Sequence, residues 1–139
     1  MKVSAGIVLI KTRPTRILLC HPTNAGWNRT LQFPKGELQG PHESHINAAI
    51  RETFEEVGLK IPQSDIYPGG SINYTNAKGM VYKIVYYFLA NVDNMDLPDE
   101  LPKKQLQAEE VDYAKFFTIQ EAEKVIFHRF LPILNHITS

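Results

Sequence analysis

Apolar residues run almost unbroken from Val3 to Ile10 and again over Ile17-Leu18-Leu19. Short apolar runs bounded by turn residues are the pattern of buried strands, here Val3–Ile10 and Arg16–Cys20 around a Thr12-Arg13-Pro14-Thr15 turn. A polar loop from His21 to Thr30 follows, then the short piece Leu31-Gln32-Phe33, kept extended by Pro34. Apolar or small residues at 46, 49, 50, 53, 54 and 57 recur at helical spacing, so a helix is predicted over Ser44–Val57. Ile46, Ile50, Phe54 and Val57 are its expected buried side, and Gly58 its C-terminal stop. Ile72–Tyr74 and Val81–Asn91 predict a hairpin around Asn76–Gly79, the second strand rich in β-branched and aromatic residues. Asn94–Leu106 has little periodicity and reads as an exposed loop. Val111–Phe117 is a last strand, Thr118 to Glu121 a capping box opening a helix, and Arg129–Ile137 a further helix. Strands and helices alternate loosely, which predicts a mixed sheet with helices on its faces.

The 139 residues fit one domain, taken as 1–139, with 43% hydrophobic and 22% charged residues. Fifteen basic and fifteen acidic residues cancel. No overall field then recruits a polyanion, so neither stable nucleic-acid binding nor a membrane surface is expected, and a bound polyphosphate would need a local site. Cys20 is the only cysteine, placed at the end of an apolar run as a buried, inert thiol. No targeting segment or membrane-length apolar run is present, and a cytoplasmic, monomeric protein is the simplest expectation.

Charge changes the picture between Gly36 and Leu59. On a helix, Glu52, Glu55 and Glu56 fall on one side at spacings i, i+3 and i+4. Three such carboxylates repel one another and weaken an isolated helix. Arg51, four residues before Glu55, neutralises part of the repulsion. A hard, oxygen-seeking cation such as Mg²⁺ would offset more. A glutamate run alone is more often a solvated face. Here a glycine-containing loop, able to approach a metal or phosphate closely, and Lys35 stand beside it.

The segment Gly36, Glu43, then Arg51-Glu52-Thr53-Phe54-Glu55-Glu56-Val57-Gly58-Leu59, preceded by Phe33-Pro34-Lys35, resembles the signature of the Nudix hydrolases. Six residues instead of the usual five separate Gly36 from Glu43, and Thr53 stands where an aliphatic residue is usual. Ser4 to Leu9, Glu110 to Phe117 and Glu121-Ala122 extend the likeness over nearly the whole chain. The resemblance implies an α/β fold, the Nudix α/β/α sandwich around a mixed sheet. It implies hydrolysis of a phosphoanhydride bond in a nucleoside polyphosphate, with Mg²⁺ or Mn²⁺ as cofactor.

Residue by residue, the likeness assigns the metal to Glu52, Glu55, Glu56 and the Gly36 carbonyl. Arg51 would orient a carboxylate, and Glu43 would support it. Family members differ in their general base, so Glu55 and then Glu110 are the candidates here, with Glu109 as a substitute in that loop. Asn73-Tyr74 and the strand from Lys83 are similar to diadenosine tetraphosphate hydrolases, which would make Tyr74 and Lys83 substrate residues, Tyr74 stacking on a base, and Lys35, a positive charge beside the glycine loop, is a further substrate-binding candidate. Trp27 would pack near the site or stack on a second base, and His21, His42 and His45 read as ordinary loop or surface histidines. Diadenosine tetraphosphate is the favoured substrate. RNA 5′ ends, oxidised nucleoside triphosphates, ADP-ribose and a catalytically silent nucleotide-binding module remain alternatives.

Overall fold

A computed structural model describes residues 1–138. The strands are β1 (Lys2–Lys11), β2 (Arg16–Pro22), β3 (Lys35–Glu37), β4 (Ile66–Thr75), β5 (Val81–Asn91) and β6 (Val111–Thr118). The helices are α1 (His45–Val57), α2 (Ile119–Val125) and α3 (Leu131–Thr138). The sheet is mixed and six-stranded, ordered β4-β5-β1-β2-β6, with β3 against β1. β1 runs parallel to β5 and antiparallel to β2.

The run Val3–Ile10 is almost unbroken in its apolar character, Ser4 apart, because β1 is covered on both faces, as in the centre of an α/β protein. Ile7 and Leu9 pack on the α1 side with Leu18, Ala48, Ala49, Ala114 and Phe116. Val8 and Ile10 pack on the opposite side with Ile17, Phe33, Tyr87, Ile126, Phe130 and Ile133. Three layers result, α1 on one face and α2 with α3 on the other.

One departure from a regular sheet opens the molecule. β1 pairs with β2 only at Ile10–Lys11, while Ser4–Gly6 pair with β3. β1 and β2 therefore splay apart, and residues 31–37 wedge between them. Cys20 exchanges backbone hydrogen bonds with Gln32 (2.7 and 3.0 Å), and the Ile7 amide donates to the Pro34 carbonyl (3.3 Å). At Gly6 a side chain would run into Pro34 and Lys35, so the wedge needs glycine there.

Several expectations change here. Lys35–Glu37 is a strand, not loop, because β1 offers it a free edge. β4 extends well before Ile72. Within the expected exposed loop 94–106, Leu101 and Leu106 are buried under α1. Ser44 caps α1 by accepting from the Asn47 amide (3.2 Å) and Gly58 ends it at φ 74. The buried face of α1 is Ala48, Ala49, Thr53 and Val57, whereas Phe54 is 55% exposed. Small side chains let α1 sit close on the sheet, and that turns the helix away from the stripe its larger apolar residues suggest.

Candidate active site

The rotation of α1 grades its three acids. At about 100° per residue, Glu56 lies about 20° from Ala49 around the helix, Glu52 about 60° and Glu55 about 120°. Accordingly Glu56 and Glu52 are half-buried against the splayed sheet and Glu55 is exposed. The three acids that share one side of the helix thus form a series running from cleft floor to rim.

A cleft of about 460 Å³ collects Lys35, Gly36, Glu52, Glu55, Glu56, Lys83 and Glu110, with Cys20 and Gln107 also on its wall. Its floor is charged and short of partners. Burial, with Glu52 nearby, pushes the Glu56 carboxyl up to about 8. Burial raises the Glu52 carboxyl too, Arg51 opposing and Glu55 and Glu110 reinforcing the shift. Burial and the neighbouring Lys83 bring the Lys35 ammonium down to about 8 against the pull of Glu56 and Glu52. Burial, then Glu56, pushes the Cys20 thiol well above its usual range, as an inert thiol requires. Glu52 Oε2 is buried without a hydrogen-bond partner among the described residues.

Arg51 and Glu43 stand outside this cleft and brace it. Arg51 donates to both Glu43 oxygens (2.8 and 3.0 Å), to the Glu37 carbonyl (3.0 Å) and to Glu55 (3.2 and 3.3 Å). Glu43 accepts in turn from the Gln39 amide (2.8 Å), and Arg51 holds its carboxyl below the usual range. The pair ties α1 to β3, a bidentate link of the stronger kind. The additional residue between Gly36 and Glu43 leaves it intact.

Among the described residues, no three His, Cys, Asp or Glu side chains converge into a ready-made metal cage. Like charges fan out, and Arg51 draws Glu55 to the rim. The donor set nevertheless fits a hard divalent cation. It is all oxygen, one buried oxygen is unpartnered, and a side chain at Gly36 would overlap the Glu52 carboxylate, so glycine keeps this space open.

A second, more open groove of about 690 Å³ lies against β4 and β5, lined by Tyr74, Asn76, Met80, Val81, Tyr82 and Lys83 among others. Lys83 lines both cavities. Tyr74 does not offer the free ring expected of it. It is 9% exposed, packed against Tyr82, Phe127 and Phe130, with Lys83 and Arg129 over its ring. Tyr82, 46% exposed, is the accessible aromatic. His21 is also unlike the surface histidine expected, being 1% exposed beneath a parallel Trp27 ring at 3.5 Å. His45 stacks on Tyr86 (4.0 Å), while Glu109 and His42 are exposed and line neither cavity.

An oxygen-lined acidic cleft beside two lysines sits in a three-layer fold with a split sheet. The family model of the NUDIX domain matches residues 1–133, and the chain belongs to that family. Among solved structures it is similar to an Ap4A hydrolase of C. elegans in a binary complex, with 26% identity and TM-score 0.75 over 99% of this chain and 96% of that one. A MutT NUDIX hydrolase from Burkholderia pseudomallei shares the fold at 18% identity and TM-score 0.74, covering 98% and 97%. So does the NUDIX domain of Shewanella oneidensis NrtR, complexed with ADP ribose, at 14% and 0.68, covering 99% and 88%. The protein is a Nudix hydrolase of nucleoside diphosphate-linked substrates, in a family that generally uses divalent metals. No helix among the described residues is long and apolar enough to cross a membrane.

Proposed function

We propose that this enzyme hydrolyses dinucleoside polyphosphates, with diadenosine tetraphosphate cut to ATP and AMP as its preferred reaction. The observation that carries the reading is Lys83, which stands between an acidic cleft suited to phosphates and an apolar groove suited to a nucleoside. The likeness to the C. elegans Ap4A hydrolase supports it at 26% identity.

Glu52, Glu56, Glu55 and the Gly36 carbonyl would hold the Mg²⁺ or Mn²⁺. Bound there, it would neutralise phosphate charge and lower the pKa of an attacking water. Lys35 and Lys83 bind phosphates beyond the acids. Tyr82 stacks on a base, with Tyr74 as its support. One phosphoanhydride P–O bond breaks as water forms a new one, and a carboxylate takes the water proton. Glu55 is engaged by Arg51, whereas Glu110 lines the same cleft and is near enough to help raise the Glu52 and Glu56 carboxyls. Glu110 is therefore the better-placed proton acceptor of the two.

A panel of diadenosine tetraphosphate, ADP-ribose, an oxidised nucleoside triphosphate and 5′-triphosphorylated RNA with Mg²⁺, products separated by ion exchange, tests the reading. Highest kcat/KM on the tetraphosphate, with ATP and AMP formed, is expected. Preference for any other substrate overturns it.

A further inference from the structure

His21 is a buried titratable group that the reaction above does not use. Its Nδ1 stands 2.6 Å from Asp112 Oδ1 and its Nε2 2.9 Å from the Gly26 carbonyl oxygen, two groups that only accept. Trp27 covers the ring in a parallel stack at 3.5 Å and meets Tyr113 edge-on at 5.6 Å. So complete a set of contacts on a ring at the end of a strand asks what it fixes.

The answer lies in the strand alongside. β2 and β6 keep register as far as His21 opposite Tyr113, then slip, with Pro22 opposite Val111. Asp112 is the extra residue of a β-bulge, and bulges re-aim the side chains that follow them. Val111, Ala114 and Phe116 all pack on the α1 side. Unbroken alternation would put Val111 and Ala114, an odd number of residues apart, on opposite faces. The bulge cancels that difference, leaving Val111 and Glu110 on the cleft wall while the Asp112 carboxylate turns to His21. The same corner is tied from two sides. Thr23 donates its amide to the Glu110 carbonyl (3.0 Å) and its hydroxyl to the Ala108 carbonyl (2.7 Å). Gln107 donates its amide to the Glu56 carbonyl at the end of α1 (2.9 Å).

We propose that His21 is a positioning residue: by holding Asp112 it locks the bulge that presents Val111 and Glu110 to the cleft, and so fixes where the Glu110 carboxylate meets the attacking water. This rests on the reading of Glu110 as proton acceptor. His21 touches no substrate and acts through Asp112 and Glu110 alone.

A double-mutant cycle tests it, with kcat and KM for diadenosine tetraphosphate under Mg²⁺ measured for wild type, His21→Leu, Glu110→Gln and the double variant. His21→Leu is expected to lower kcat about 10²-fold, the scale of a misplaced catalytic group, with KM nearly unchanged. The double variant is expected to lose no more than Glu110→Gln alone, because the clasp has nothing left to position. Should His21→Leu fail to fold, Asp112→Ala breaks the same bond from a side chain that is 41% exposed. Asp112→Asn keeps an acceptor for the ring and should restore most of the rate, which a general loss of packing would not predict. Multiplicative losses in the cycle, or Glu110→Gln at wild-type kcat, overturn the proposal while an active wild type leaves the hydrolase reading standing. An inactive wild type removes both.

Discussion

The acidic cleft and the β4–β5 groove share Lys83 but are built from opposite materials. The cleft brings together half-buried carboxylates, of which burial, with Glu52 nearby, raises Glu56 to about 8, and a lysine that burial brings down to the same value. The groove is lined by Met80, Val81 and Tyr82, which are 64%, 39% and 46% exposed, and among the described residues no carboxylate lines it. In a poorly solvated cleft the energy of a charge depends steeply on its neighbours, so small changes there should alter the reaction itself. An exposed apolar surface contributes by stacking and contact, so changes there should alter which substrate stays.

Breaking the cleft should have the largest effect. Glu56→Gln is expected to lose roughly 10² to 10⁴ in kcat. Melting of the metal-free variant should occur at an equal temperature near neutral pH, where the Glu56 carboxyl is largely protonated, and at a higher one above about pH 8, where Gln avoids a buried charge. Steady-state kinetics and a thermal melt check both halves. Gly36→Ala should abolish divalent-cation binding by calorimetry, because its side chain would occupy the Glu52 carboxylate's place.

A smaller effect belongs to the groove. Tyr82→Ala should weaken substrate binding by about 1–3 kcal/mol, the value of one stacked base. It should act through KM, because stacking is felt equally in ground and transition states. Lys83→Ala should hurt a tetraphosphate more than ADP-ribose, with the difference shrinking as salt is raised. Equal loss on both substrates would deny Lys83 its place between the two cavities.

The pH dependence sharpens the same contrast. A carboxyl raised from 4.5 to about 8 favours the protonated folded state, so its contribution to metal-free stability declines as pH rises through that window. A cation needs the deprotonated acid, so affinity for Mn²⁺ should rise across it and level off above about 8. Calorimetric titrations at several pH values would show this. Binding of adenosine monophosphate to the groove should change little.

Smallest of all is the outer face of α1. Phe54→Ala, on an exposed side chain, should change stability by no more than about 0.5 kcal/mol. Ile50→Ala, only half-buried, should cost less than the about 2–5 kcal/mol of a fully buried deletion.

These helix variants show where the sequence was readable. The longer strands other than the first half of β4, α1 with its glycine stop, and the spacing of the acids at 52, 55 and 56 were legible because periodicity and charge spacing are local properties. The burial of Phe54 was misjudged because helix rotation is set by how closely Ala48 and Ala49 let α1 approach the sheet. Likewise Leu101 and Leu106 looked exposed because the surface that buries them belongs to a distant helix. The burial of Tyr74 follows from hairpin packing against Phe127 and Phe130, which leaves Tyr82 the exposed ring, and the His21–Asp112 contact follows from a bulge. Neither leaves a periodic trace.

Central to this account is hydrolysis in the cleft by way of a divalent cation. The most direct measurement is release of ATP and AMP from diadenosine tetraphosphate by wild type and Glu56→Gln, with Mg²⁺ and after exhaustive chelation. The account predicts turnover for wild type with Mg²⁺, almost none in the other three combinations, and recovery when Mg²⁺ is returned to chelated wild type. Undiminished turnover after chelation, or in Glu56→Gln with Mg²⁺, would contradict it.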